Sequence, residues 1–314
     1  MSEIRVPGFE GARFQPCRNG VKQREASAPE LLPRTSVVLK GHGSSRAVYS
    51  PKSRAALASA GLSFALALLL FCTPRLFAQQ TLRLAAAADL QPLLPPILAT
   101  FQQQTGIHVL ASCQSSATLA TQIIQGAPFD LFMAADLGFP QRVIDAGRAE
   151  ETRPIPYARG TLVLWARNDS GVTQLSVDAL RNPAIRSIAV ANPEHAPYGR
   201  AAQAALEHTG LITQVKPRLV VAENIAQAAQ YADSGNAQAG FLSLTSALTP
   251  RLRADGHFIR VPPDDYPPIQ QGAVVVRGSA NAAAARRFLD FLRSPAIAQR
   301  LAAAGLEPVE PSHP

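Results

Sequence analysis

Two short stretches of this chain carry the residue types from which a binding chemistry can be built. The first is Leu84-Ala85-Ala86-Ala87-Ala88-Asp89-Leu90; the second, 26 residues after Asp89, is Ser115-Ser116. In each, an apolar strand runs into a tight turn and then a helix start. The first turn of a helix presents backbone N–H groups with no intrahelical acceptor, together with a partial positive charge. Two such turns aimed at one point form an anion site without Lys or Arg. Paired hydroxyls at the second turn add donors of their own.

Other reactive residues read more plainly. His195 lies between Pro193 and Pro197, where a turn residue is the simpler reading. As a metal ligand it would need a His-x-x-His or Cys/His cluster, and the sequence has none. Ser116, His195 and Asp136 could be assembled into a serine-hydrolase triad, the alternative from another functional class. No Gly-x-Ser-x-Gly elbow accompanies them. Trp165 reads as core, Cys113 as a small core residue or a reactive thiol, and Asp264-Asp265-Tyr266 as a solvated hinge loop.

The elements that must hold the two turns alternate between strand and helix. Thr81–Ala86, 107–111 and 129–134 read as strands, with Leu93, Leu94, Ile97, Leu98 and Phe101 on one face of the helix between the first two. Gly106 ends that helix. Further strands at 162–165, 187–191, 218–221, 239–242 and 273–276, then amphipathic helices at 282–292 and 295–304, continue the pattern. This alternation argues for an α/β fold with parallel sheets. Two irregular crossings, Tyr157–Gly160 and the Pro-rich Val261–Ile269, divide it into two lobes. Lobe one takes 79–157 and 270–314, lobe two 158–269. In such folds ligands sit where strand ends and helix starts face a crevice.

Composition narrows the partners. The chain has 314 residues and a formal net charge of +8, but residues 1–78 carry +7 of it. The remainder has a single Lys, Lys216, and no basic stripe, which argues against nucleic acid. In the leader, Lys52 and Arg54 precede an apolar run from Ala55 to Cys72, and Leu76-Phe77-Ala78 offers a cleavage site. This is the pattern of a secretory signal over about residues 48–78, with an uncleaved anchor as the alternative. Residues 1–47 are rich in Pro, Gly and charge and read as disordered. Loss of Cys17 and Cys72 with the leader would leave Cys113 as a lone thiol without a disulfide.

Five blocks together resemble the periplasmic molybdate-binding proteins of ABC transporters. They are Leu84–Leu90, Ser115–Ala120 with Gln122-Ile123, Gly126–Phe132 with Ala135-Asp136, Asn192–Gly199, and Glu223-Asn224-Ile225. The resemblance spans residues 80–308. It implies a two-lobed periplasmic-binding-protein fold, with parallel or mixed sheets flanked by helices and an interlobe cleft. It implies that the lobes close over molybdate or tungstate and deliver it to an ABC permease, with no catalytic residue, cofactor or directly bound metal. Carried over, the oxyanion contacts are Ala88 and Asp89 in the first turn, then the Ser116 hydroxyl and N–H. Lobe two adds Tyr198 and the Ile225 N–H. A further tyrosine found in some members is replaced here by Ser243, and Tyr198 itself has packing in the interlobe wall as its alternative role. The expected protein is an exported, periplasmic monomer; sulfate, phosphate or another small oxyanion is the alternative ligand.

Molybdate at neutral pH is a dianion that accepts hydrogen bonds and donates none, so a cradle of N–H and O–H groups matches it. Charge-assisted bonds of this kind are about twice as strong as neutral ones. Asp89 sits awkwardly in such a cradle, because an inward carboxylate repels a dianion and favours a ligand that brings a proton. Capping preference predicts instead that its side chain folds back onto the helix N–H groups near Gln91 and Pro92.

Overall fold

A computed structural model describes residues 80–309. The leader, its signal pattern, Cys17 and Cys72 lie outside the described residues.

The first half of lobe one follows the expected alternation. It contains β1 (Thr81–Ala87), α1 (Leu94–Thr105), β2 (His108–Gln114), α2 (Ser116–Ile124), β3 (Leu131–Ala134), α3 (Gly138–Asp145) and β4 (Ile155–Gly160). A single 3-10 turn, Ala88–Leu90, follows β1. Gly106 closes α1 in the left-handed conformation at φ 72°, as glycine alone does readily.

The chain then crosses into a second sheet with β5 (Leu162–Arg167), β6 (Ile188–Ala191), β7 (Leu219–Ala222), β8 (Ala239–Ser243) and β9 (Gly256–Arg260). Its helices are α4 (Pro197–His208), α5 (Ile212–Val215), α6 (Ile225–Asp233), α7 (Leu244–Ala247) and α8 (Pro250–Asp255). The return adds β10 (Ile269–Val275), α9 (Ala282–Arg293), α10 (Pro295–Ala303) and β11 (Leu306–Pro308) to the first sheet.

The first sheet runs β11-β4-β10-β3-β1-β2 and the second β7-β6-β8-β5-β9. Both are mixed. β1 pairs in parallel with β2 and β3, and β6 with β7 and β8. β10 is antiparallel to β3 and β4, and β5 to β8 and β9. Mixed sheets flanked by helices are what the resemblance implies. β10 and β5, by which the chain enters each sheet from the other, run against the strands beside them. β4 pairs with β10 as far as Gly160, so the expected boundary at 157 falls within a strand and the passage itself is at Thr161.

Strand alternation sorts the alanine-rich β1. Leu82, Leu84 and Ala86 face one core with Phe101, Phe288 and Leu289, while Ala85 faces the other with Leu119 and Ile123. Both faces are covered, as parallel strands require. Phe101 meets Phe288 edge to face at 5.0 Å and Phe291 at 5.2 Å. Ala87, Ala88 and Ala135 leave these cores and pack instead with Tyr198 and Ile225 of lobe two. Trp165 is fully buried there and donates its indole N–H to the Leu252 carbonyl at 3.0 Å. Cys113 packs against the core of lobe one, and the cysteines whose loss would leave it a lone thiol lie outside the described residues.

Candidate functional site

Both sheets send the ends of their parallel strands to the seam between the lobes. From β1 comes the turn with Ala88 and Asp89, and from β2 the start of α2 with Ser116. From β6 comes the start of α4 with Tyr198, and from β7 the start of α6 with Ile225. All five residues are buried. Local sequence explains each start. Ser115 caps α2, its Oγ accepting from the Thr118 N–H at 3.2 Å. Asn224 caps α6 by accepting from the Gln227 N–H at 3.0 Å. Pro197 opens α4, where its missing N–H costs nothing. The caps use later N–H groups, so those of Ser116 and Ile225, at the first helical position, have no acceptor inside their own helices.

Ser116 Oγ accepts a hydrogen bond from the Ala135 N–H at 3.1 Å. Its own proton is therefore directed elsewhere and remains a donor. The neighbouring Ala117 N–H donates across the seam to the His195 carbonyl at 3.2 Å. Thr118 Oγ1 reaches Glu223 at 3.4 Å.

Asp89 does not cap. The 3-10 turn has no side-chain cap, and the carboxylate points into the seam. Its Oδ2 accepts from Tyr198 Oη at 3.2 Å and from the Gln271 amide of β10. Its Oδ1 has no partner, nor has Gln271 Oε1. Burial pushes the Asp89 pKa up to about 6, against the opposing effects of Gln271, Tyr198 and its own N–H. The capping expectation is corrected by tertiary contact: a phenol from the other lobe and an amide from β10 outcompete the local N–H groups. The Asp89 carbonyl accepts from Thr245 Oγ1 at 2.8 Å. Burial also raises Tyr157 and Tyr198 well above the ordinary tyrosine value, with the Asp89 charge adding to both.

Tyr198 packs in the seam, the alternative role considered for it, and donates its hydroxyl to Asp89 Oδ2. Gly160 makes room: a Cβ there would collide with Tyr198 Oη. Ser243 caps α7 through the Ser246 N–H at 3.3 Å and joins Thr245 in a hydroxyl cluster beside Asp89. Sequence reasoning missed Gln271, Thr245 and Gly160; nothing in the pattern of β10 distinguishes Gln271 from its neighbour Gln270.

The other resembling residues have structural partners. Asp130 gathers the Arg83 N–H at 2.7 Å and the Ser279 hydroxyl at 2.6 Å. Asp136 accepts from the Phe139 N–H at 3.0 Å and pairs with Arg200 across the seam. His195 pairs with Glu223 at 3.1 Å. Ser116, His195 and Asp136 thus each engage different groups, and the triad arrangement is not formed.

What the site offers is a set of neutral donors, drawn from both lobes, around one buried carboxyl. The family model for bacterial extracellular solute-binding proteins matches residues 82–307. The molybdate-binding protein ModA of Rhodobacter capsulatus is 35% identical over 211 residues, covering 67% of this chain and 82% of that protein. The ModA of Azotobacter vinelandii is 33% identical, covering 71% and 88%. The structure of the periplasmic molybdate-binding protein of A. vinelandii superposes with a TM-score of 0.68 at 31% identity, covering 74% of this chain and all of that one. With two mixed sheets meeting at such a seam, and with matches of this extent, the chain belongs to the bacterial extracellular solute-binding protein family.

Proposed function

We propose that this protein binds molybdate between its lobes and delivers it to an ABC permease after export to the periplasm. The observation that carries this reading is the convergence of Ala88, Asp89, Ser116, Tyr198 and Ile225 on one buried seam. None of them, and none of the side chains hydrogen-bonded to them, is Lys or Arg. In this reading the N–H groups of Ala88, Asp89, Ser116 and Ile225 and the Ser116 hydroxyl surround the oxyanion, while Tyr198 lines the site and donates its proton to Asp89. Each such bond to a charged acceptor is worth about 1.5–3 kcal/mol, so a handful offsets the desolvation of a dianion in a closed cleft. Tungstate, of the same shape and charge, is the second ligand. The protein acts as a monomer and as a carrier rather than a catalyst.

Calorimetric titration of the full chain with molybdate, tungstate, sulfate and phosphate tests this. The reading predicts tight saturable binding of molybdate and tungstate at one site, with sulfate much weaker. Tight phosphate or sulfate binding without a molybdate response contradicts it.

A further inference from the structure

We propose that Asp89 makes anion capture proton-coupled: the closed site takes up a tetrahedral oxyanion dianion together with one proton, held between the Asp89 carboxyl and a ligand oxygen. This rests on the function proposed above and adds the protonation state in which the site works.

The geometry comes first. Asp89 is completely buried at the point where both lobes meet. One carboxyl oxygen is occupied by Tyr198 and Gln271, each of which donates to it. The other, Oδ1, is buried with no partner. A protonated carboxyl has a donor to give, whereas an ionised one has only lone pairs. A fully deprotonated oxyanion has only acceptors, so a proton on either partner turns a repulsive contact into a hydrogen bond.

The surroundings supply no alternative compensation. Facing Asp89 are Tyr198 from α4, Tyr157 from β4, Gln271 from β10 and Thr245 from α7, while α6 contributes Ile225. The two tyrosines are held neutral by burial. No cationic group figures among the influences on the Asp89 carboxyl. The ion pair of Arg200 with Asp136 across the seam is self-satisfied. Burial, even against the hydrogen bonds from Gln271 and Tyr198, already lifts Asp89 to about 6, and a dianion beside it raises it further. At neutral pH the empty protein is mostly ionised at this position and the complex protonated. One proton passes from solvent to the site for each anion bound, and returns on release. Where the proton resides within the pair, carboxyl or ligand, is a property of the coupled site.

The test is calorimetry of molybdate binding to the full chain at about pH 8 in two buffers of different ionisation enthalpy, with the affinity followed from about pH 7 to 8.5. The expected result is uptake of about one proton per anion and an affinity that falls about tenfold per pH unit. Asp89→Asn should keep the acceptor for Tyr198 while removing both the uptake and the pH slope. Proton uptake near zero in the unaltered protein overturns the inference, as does uptake that persists in Asp89→Asn. Should that variant fail to fold, the count on the unaltered protein decides alone. If sulfate binds in place of molybdate, the proposed function fails, and the proton count on sulfate still decides this inference. If neither binds from about pH 5.5 to 8, both are overturned.

Discussion

The two lobes present the seam with equivalent backbone and different side chains. In lobe one the order β2-β1-β3 is followed by antiparallel β10, and in lobe two β7-β6-β8 by antiparallel β5. The turn after the central strand carries Asp89 in one and Tyr198 in the other. The helix after the edge strand starts at Ser116 in one and Ile225 in the other. Both pairs lie outside the carboxyl ends of parallel strands, beside the switch in strand order, where ligands of open α/β sheets bind. Lobe one adds a carboxyl and a hydroxyl to this frame, lobe two a phenol and an unadorned N–H. Topology places the helix starts alike in both lobes; the side chains they carry differ.

The widest break of this comparison is to disable one core at a time. Phe101→Ala in lobe one and Trp165→Ala in lobe two each remove a fully buried aromatic and should cost about 3–5 kcal/mol in chemical denaturation. One shared transition in both variants indicates lobes that unfold together; a split transition in only one of them separates their stabilities.

Next is the carboxyl that lobe two lacks. Asp89 has its pKa raised from 3.8 to about 6, so the folded protein binds the extra proton between those values. Its contribution to stability is fully present below the unfolded value and is lost as pH rises through about 6. Asp89→Asn should therefore gain about 3 kcal/mol at neutral pH, and the gain should vanish at about pH 4. Thermal melts of both proteins across that range measure it.

A smaller effect separates the two helix starts. Ser116→Ala removes a hydroxyl donor and should weaken molybdate binding by about 1.5–3 kcal/mol. Ile225→Val leaves the backbone N–H in place and should change affinity by less than about 0.5 kcal/mol. Calorimetric titration reads both. Smallest is the rim: Arg200→Ala breaks the half-exposed pair with Asp136. Its effect on affinity should stay below about 1 kcal/mol and fade with added salt.

Most of the frame was legible because it is local. Ser115 followed by Ser116 marks a capped helix start, Gly106 a helix end, and the apolar runs of β1, β3 and β6 buried strands. What escaped depends on residues far apart in sequence. Asp89 has a strong capping preference, and only the arrival of Tyr198 and Gln271, 109 and 182 positions away, turns it inward. Gly160 carries no turn signal, since its requirement is the space taken by Tyr198 Oη. β4 and β9 fall in stretches broken by Pro, Gly or charge, and their strand character comes from pairing with β10 and β5.

The claim beneath all of this is that the anion lies between the lobes among neutral donors. Crystals grown with molybdate and measured at the molybdenum absorption edge test it most directly. The account predicts one anomalous peak in the seam, beside Tyr198 and Asp89, with oxygen atoms in hydrogen-bond reach of Ser116 Oγ and the Ile225 N–H. A peak confined to surface arginines such as Arg83, Arg148 and Arg277, which line a hollow in lobe one, would contradict it.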